Sequence, residues 1–284
     1  MSARRPVSGP KGKLLSGNLP EFARDPLRFL SESARSFGPV VRFRFGRTSA
    51  FLLNEPDLIE EVFITRRNDF IKSKALRAQR RLLGNGLLTN ENESWLQQRR
   101  LAQPAFHRER IAGYGEIIAA DTERMLATWE DGEVRDVHSE LQRLAVGIVA
   151  KTLFGADMHD RAEQLGVALE AAMQVYANRR GLARFIPDWA PLPSHLRYRR
   201  GIRDLDATIA EIIHARRARD EDTSDLLSML LRARDEDGNA MNDAQLRDEA
   251  VTLFVGGFDT PALGLSWAWY LLAQNREARE EIAK

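Results

Sequence analysis

The sequence predicts a mainly α-helical protein with a small β-sheet near its N-terminus, incomplete at its C-terminal end. Three observations predict this. Alternating apolar residues at 40–45 mark an isolated strand, helical periodicity dominates from residue 95, and the most apolar helix comes just before the end at Lys284. A buried central helix with little chain after it to cover its far side reads as part of a larger domain.

The N-terminal segment Arg5–Lys13 is rich in Pro, Gly and Lys and reads as an extended leader. Asp25 as N-cap, Pro26 at the first helical position and Gly38 as terminator bracket a helix, with Leu27, Leu30 and Ala34 on one face. Val40–Phe45 alternates as a half-buried strand, and Gly46-Arg47-Thr48-Ser49 turns it into a second strand, Ala50–Leu53. Pro56 opens a helix to about Arg66, and Phe70–Ser94 is a long, mostly irregular stretch of the kind that is usually functional.

Trp95 begins a helix broken near Pro104, followed by candidate helices at 109–130, 139–154, 160–178, 199–219 and 224–234. Pro187, Pro191 and Pro193 interrupt the pattern, and Asp235–Asn239 is a surface turn. Asn242 caps the last long helix, with Gln245 as its capping-box partner. That helix runs to Gln274, and from Ala250 to Ala273 its only charge is Asp259.

Composition narrows the function. The 284 residues are 43% hydrophobic and 29% charged with a net charge of +1, which fits a globular chain and gives no global case for nucleic-acid binding. No apolar run approaches the roughly 18 residues of a membrane anchor, and the polar N-terminus lacks a signal peptide, so a cytoplasmic protein is expected. Cysteine is absent, which removes disulfides, thiolate metal sites and cysteine nucleophiles. No metal site is expected from His107, His138, His159, His195 and His214. His107 sits in a structural-looking Pro-Ala-Phe-His run and the others lie on polar stretches.

Two constellations carry chemistry. Val255–Pro261 places two glycines and a proline inside an apolar helix, weakening one turn beside Asp259 and Thr260. It reads either as a kink with Asp259 paired to a buried arginine, or as a small-molecule groove with an acid and an alcohol placed to pass protons. Trp95 and Arg99, at i and i+4, share a helix face. They read either as a core tryptophan with a rim arginine, or as joint donors to one anion. Between Ile71 and Arg110 nine Lys and Arg face three Glu, a solvated basic face or a site for an anionic cofactor or an acidic protein.

In order along the chain, the following segments resemble the cytochrome P450 family of haem-thiolate monooxygenases. They are the leader Gly9-Pro10-Lys11-Gly12, the strand pair, Leu83-Gly84-Asn85-Gly86-Leu87-Leu88-Thr89, Trp95–Arg99 followed by Gln103–His107, Gly256–Pro261, and Leu265–Leu272. The resemblance covers essentially the whole chain but about three fifths of a typical member. It implies a cytochrome P450-type helical fold over 1–284, divided into a leader (1–19), the sheet, first helices and long loop (20–94), a helical region (95–234), the central distal helix (242–274) and the start of the next helix (275–284).

The roles that follow are those the resemblance implies. Trp95 and Arg99, with Lys72 in support, bind a haem propionate, and Leu87 approaches the haem. Gly256 and Gly257 lie over the iron, where a side chain would block oxygen. Asp259 and Thr260 are the catalytic acid–alcohol pair that delivers protons during oxygen activation. Leu88 and Phe258 border an apolar substrate. O2 is the co-substrate, electrons reach the haem from NAD(P)H only through a ferredoxin or flavodoxin-type donor, and Arg100 and its basic neighbours suit that donor's docking.

The sequence departs from the family pattern in four ways. Gly256 replaces the usual Ala, Phe258 stands where a small residue or His is common, and Pro261 replaces a second hydroxyl residue. The axial cysteine and the Glu-x-x-Arg pair are not in this chain. The expectation is therefore the N-terminal portion of a bacterial monooxygenase, inactive alone. The alternative is a non-catalytic helical module, binding haem, lipid or a partner, from a truncated gene.

Overall fold

The computed structural model describes residues 7–155, 166, 169, 192–219 and 225–282, in two compact units, Met1–Ile71 and Lys72–Lys284. Most of the helix expected at 160–178, together with Pro187 and Pro191, lies outside the described residues.

The first unit holds α1 (Leu19–Arg24), α2 (Pro26–Phe37), β1 (Val40–Phe45), β2 (Thr48–Leu53) and α3 (Pro56–Glu60), which continues as one π-helical turn, Glu61–Thr65. Asp25 caps α2 by accepting from the Arg28 N–H, Pro26 sits in its first turn, and Gly38 ends it at φ 89°. The strands pair antiparallel from Val40↔Leu53 to Phe45↔Thr48. The turn is thus tighter than expected: Gly46 takes φ 60° and β2 already begins at Thr48. The leader is pinned along β1, where the Arg42 N–H donates to the Ser8 carbonyl and the Asn18 N–H to the Arg44 carbonyl.

Leu27 does not face inward; it is 80% exposed. The inward face of α2 is set instead by Phe29, whose ring packs edge-on against Phe22 and Phe43. Alternation in β1 puts Phe43 and Phe45 on the same side, and this aromatic cluster claims the neighbouring face of the helix.

In the second unit, the stretch expected to be irregular carries two one-turn helices, α4 (Lys74–Arg77) and α5 (Arg80–Leu83), and the Trp95 helix already starts at Asn92. It is α6 (Asn92–Ala102), closed by a 3₁₀ turn at Gln103–Phe106 where Pro104 breaks the pattern. There follow α7 (Arg108–Leu126), α8 (Val137–Phe154), α9 (Pro193–Arg219), α10 (Leu226–Arg232), α11 (Asp243–Gln274) and α12 (Arg276–Ile282). Pro193 opens α9 rather than interrupting it, consistent with proline's preference for a first turn.

The 32-residue α11 starts on the expected capping box between Asn242 and Gln245 and runs unbroken through Pro261. Its first half is buried against α8, α9 and α10 through Leu246, Ala250, Val251, Phe254, Phe258 and Ala262. Burial stops there, as expected of a central helix with little chain after it to cover its far side. Beyond it Leu263, Leu265, Trp267, Trp269, Tyr270 and Leu271 are exposed, Trp267 to 59%. No described helix is long and apolar enough to cross a membrane.

Arg216 joins three of these helices. It donates to Asp225 (2.6 Å) and Ser228 (3.3 Å) at the start of α10, and to the Phe154 carbonyl (2.6 Å) that ends α8. The Asp225 side chain is almost wholly buried. Arg216→Met is therefore expected to lower unfolding stability by about 3 kcal/mol, as when a buried carboxylate loses its partner. Urea denaturation checks this; loss below about 1 kcal/mol contradicts it.

Candidate functional site

The site has three parts: a cationic cluster around Trp95 of α6, the segment 84–91, and the middle of α11. On α6 the Arg99 guanidinium lies over the Trp95 ring at 5.2 Å, and the Lys72 ammonium sits 5.9 Å from the same ring. Arg99 is exposed and has no acidic partner among the described residues, so its donors stay available. Lys72 is differently engaged. Its ammonium donates to the carbonyls of Leu87 (2.8 Å) and Asn90 (2.6 Å), and burial pushes its pKa down against the attraction of Glu91.

The 84–91 segment lies directly on α11. Gly84 takes φ 59°, and a Cβ there would fall 1.8 Å from the Asp248 carboxylate; one at Gly86 would fall 2.2 Å from Thr252 Oγ1. Only glycine permits this approach. Two acids of α11 use the proximity: Asp248 accepts from the Asn85 N–H (2.7 Å) and Glu249 from the Leu87 N–H (3.1 Å). On its other side the segment is tied to α6, where Gln98 donates to the Asn85 carbonyl and accepts from Asn90.

Glu249 is fully buried, and its Oε1 has no hydrogen-bond partner. Burial pushes its pKa up to about 7; the Leu87 N–H opposes the rise, Asp248 adds to it and Lys72 opposes it. Sequence reasoning missed Asp248 and Glu249. The available signal was an acidic pair in the second turn of a helix that is otherwise apolar from there on.

The structure distributes the residues of the 256–261 turn unevenly. Phe258 is 3% exposed and packs on Phe254 at 5.9 Å in the helical core, not on an open face. Gly257 also faces a helix: its Cβ would sit 2.5 Å from Val149 Cγ2, so its smallness serves α8–α11 packing. At Gly256 a Cβ would meet nothing within 4 Å. Asp259 is half-buried, without a hydrogen bond or ion pair among the described residues, so no described arginine pairs with it, and Thr260 beside it is exposed. Leu87 packs against the core, while Leu88 is exposed.

The sequence matches the family model "Cytochrome P450" over residues 7–284. The chain belongs to the cytochrome P450 family. Bacterial relatives of this P450 chain include the pentalenene oxygenase of Streptomyces avermitilis, 34% identical over 270 residues, covering 94% of this chain and 59% of that protein. The cyclooctatin synthase of Streptomyces melanosporofaciens is 33% identical over 285 residues, covering 98% and 61%. The cyclooctat-9-en-7-ol 5-monooxygenase of the same organism is 32% identical, covering 94% and 58%. The P450 chain thus spans about three fifths of the length of the curated relatives it matches.

Gly257→Ala is expected to destabilise by about 1–3 kcal/mol through overpacking against Val149, with Val149→Ala restoring most of the loss. Gly256→Ala, in open space, is expected to stabilise by up to about 1 kcal/mol through helix propensity; thermal melts of the three variants test the opposite signs. Glu249, with a folded pKa of about 7 above its ordinary 4.5, contributes stability that is complete below about pH 4.5 and lost as pH rises through 7. Relative to Glu249→Gln, the wild-type chain should lose on the order of 3 kcal/mol between pH 4.5 and 8. A pH-independent difference in urea midpoints is the contrary result.

Proposed function

We propose that this chain is the N-terminal portion of a cytoplasmic, haem-dependent monooxygenase. The whole protein inserts one oxygen atom of O2 into a C–H or C=C bond of an apolar small molecule, with electrons from NAD(P)H passed on by a ferredoxin or flavodoxin-type donor. The observation that carries this reading is Arg99 stacked over Trp95 with no acidic partner among the described residues, a donor set suited to a carboxylate of the haem. Relatives named for oxygenation of pentalenene and cyclooctat-9-en-7-ol, alkene and alkenol compounds, agree with an apolar substrate.

The residues present fit one side of the cofactor. Trp95 and Arg99 would hold a propionate. Gly256 leaves open space where a side chain would intrude, and Asp259 and Thr260 offer an acid and a hydroxyl that solvent reaches. When bound, haem supplies the activation of dioxygen. The axial thiolate does not fit: the chain has no cysteine, so its own residues do not supply that ligand. This favours inactivity of the chain alone, and equally the reading of a non-catalytic helical module.

The test compares this chain with the protein translated from its gene read past the Lys284 codon. The longer protein is expected to bind haem stoichiometrically, with the ferrous–carbonyl spectrum of thiolate ligation, and Arg99→Leu to weaken that binding at least tenfold. This chain alone should show no thiolate-type spectrum. A longer product that lacks both the thiolate spectrum and haem binding sensitive to Arg99 overturns the monooxygenase reading.

A further inference from the structure

The Leu87 peptide is held from both sides. Its N–H donates to Glu249 at 3.1 Å and its carbonyl accepts from Lys72 at 2.8 Å. Two residues earlier, the Asn85 peptide is held likewise, by Asp248 on its N–H and by Gln98 on its carbonyl. Within the segment, the Thr89 hydroxyl donates to the Gly84 carbonyl, and the N–H groups of Thr89 and Asn90 both donate to that of Gly86. The backbone from Gly84 to Asn90 is thus a closed turn with few ways to shift except as a unit.

Glu249 is the costly member of this arrangement. A carboxylate withdrawn from water with one oxygen unpartnered is unfavourable, and an apolar side chain of similar volume would serve core packing better. Among the described residues its hydrogen bond goes to the Leu87 N–H. The charged groups around it are few. Asp248 is its neighbour on α11 and is shared with Arg247, which also binds Asp206 of α9. Lys72 approaches from the segment's side, backed by Glu91, which Arg80 also reaches.

We propose that Glu249 is a positioning residue: by fixing the Leu87 peptide from inside the central helix, it sets where Leu87 and Leu88 stand against the substrate. The role of those two side chains rests on the monooxygenase reading; the clamp itself does not. An acid in this place also makes the clamp sensitive to its charge, because ionising a carboxyl withdrawn from water favours the opened segment, in which it is hydrated, by more than the stronger hydrogen bond to the Leu87 N–H offsets. Lys72 holds the carbonyl of the same residue and offsets part of that cost.

Hydrogen exchange on the full chain, without added ligand, tests this. In Glu249→Leu the Leu87 amide is expected to exchange at least tenfold faster, while amides in the middle of α8 change less than twofold. Glu249→Gln, which keeps an acceptor of the same shape, should restore most of the protection. In the wild type, Leu87 protection corrected for intrinsic rates should fall as pH passes through about 7, and the Gln variant should show no such step.

Unchanged Leu87 protection in Glu249→Leu overturns the proposal. So does an equal loss of protection across α8 and α9, which would make Glu249 an ordinary core residue. If the Leu variant does not fold, the pH step in the wild type and its absence in the Gln variant decide alone: no step, no clamp. Failure of the longer protein to bind haem would overturn the monooxygenase reading and leave these exchange results unaffected, so the two failures are distinguishable.

Discussion

The close approach of the 84–91 segment to the central helix is the constraint on which the rest of the site depends. Two glycines remove the side chains that would hold the segment away, and two carboxylates take up the backbone N–H groups that this closeness would otherwise bury unsatisfied. Neither half suffices alone. Glycines without acceptors would leave N–H groups of the kind that cost about 1–3 kcal/mol each when buried and unpaired. Acids without glycines could not reach.

From that junction the other relations follow in sequence. With Leu87 and Asn90 fixed, their carbonyls define the place of the Lys72 ammonium, and Lys72 in turn stands beside the Trp95 ring. Arg99 stacks over the same ring one helical turn later, with no acidic partner among the described residues. Gln98, one residue before Arg99, faces inward to Asn85 and Asn90, so α6 has one face bound to the segment and a neighbouring face carrying unpaired cation. The donor pair is oriented by contacts that begin at α11, on the far side of the segment.

Much of this was legible in the sequence because it is local. The capping box at Asn242 and Gln245, the Asp25–Pro26 start of α2 and the i,i+4 relation of Trp95 to Arg99 depend on neighbours within a turn. The order of motifs likewise placed Leu83–Thr89 and Gly256–Pro261 in one family. What escaped depends on distant partners. Glu249 lies 162 positions from Leu87 in the chain, and no periodicity announces that pairing. Gly257 owes part of its smallness to Val149 of another helix, which no local pattern shows. Leu27 fits an apolar stripe, but the cluster of Phe22, Phe29, Phe43 and Phe45 determines which stripe faces inward.

Glu249 and Asp259 show how one helix gives two carboxylates different tasks. They stand ten positions apart, about 15 Å along the axis and roughly 80° apart around it, so they meet different surroundings. Glu249 is wholly enclosed and its one hydrogen bond goes to a backbone N–H; it can orient that group but cannot readily exchange a proton with solvent. Asp259 is half-buried, unbound among the described residues, and next to an exposed hydroxyl, so solvent protons reach it directly. A group that must hold geometry benefits from enclosure, and a group that must pass protons is useless if enclosed. On that ground the same apolar helix separates the two needs: the acid proposed to fix the segment lies where α11 is packed, and the acid proposed for proton transfer lies close to where that packing ends.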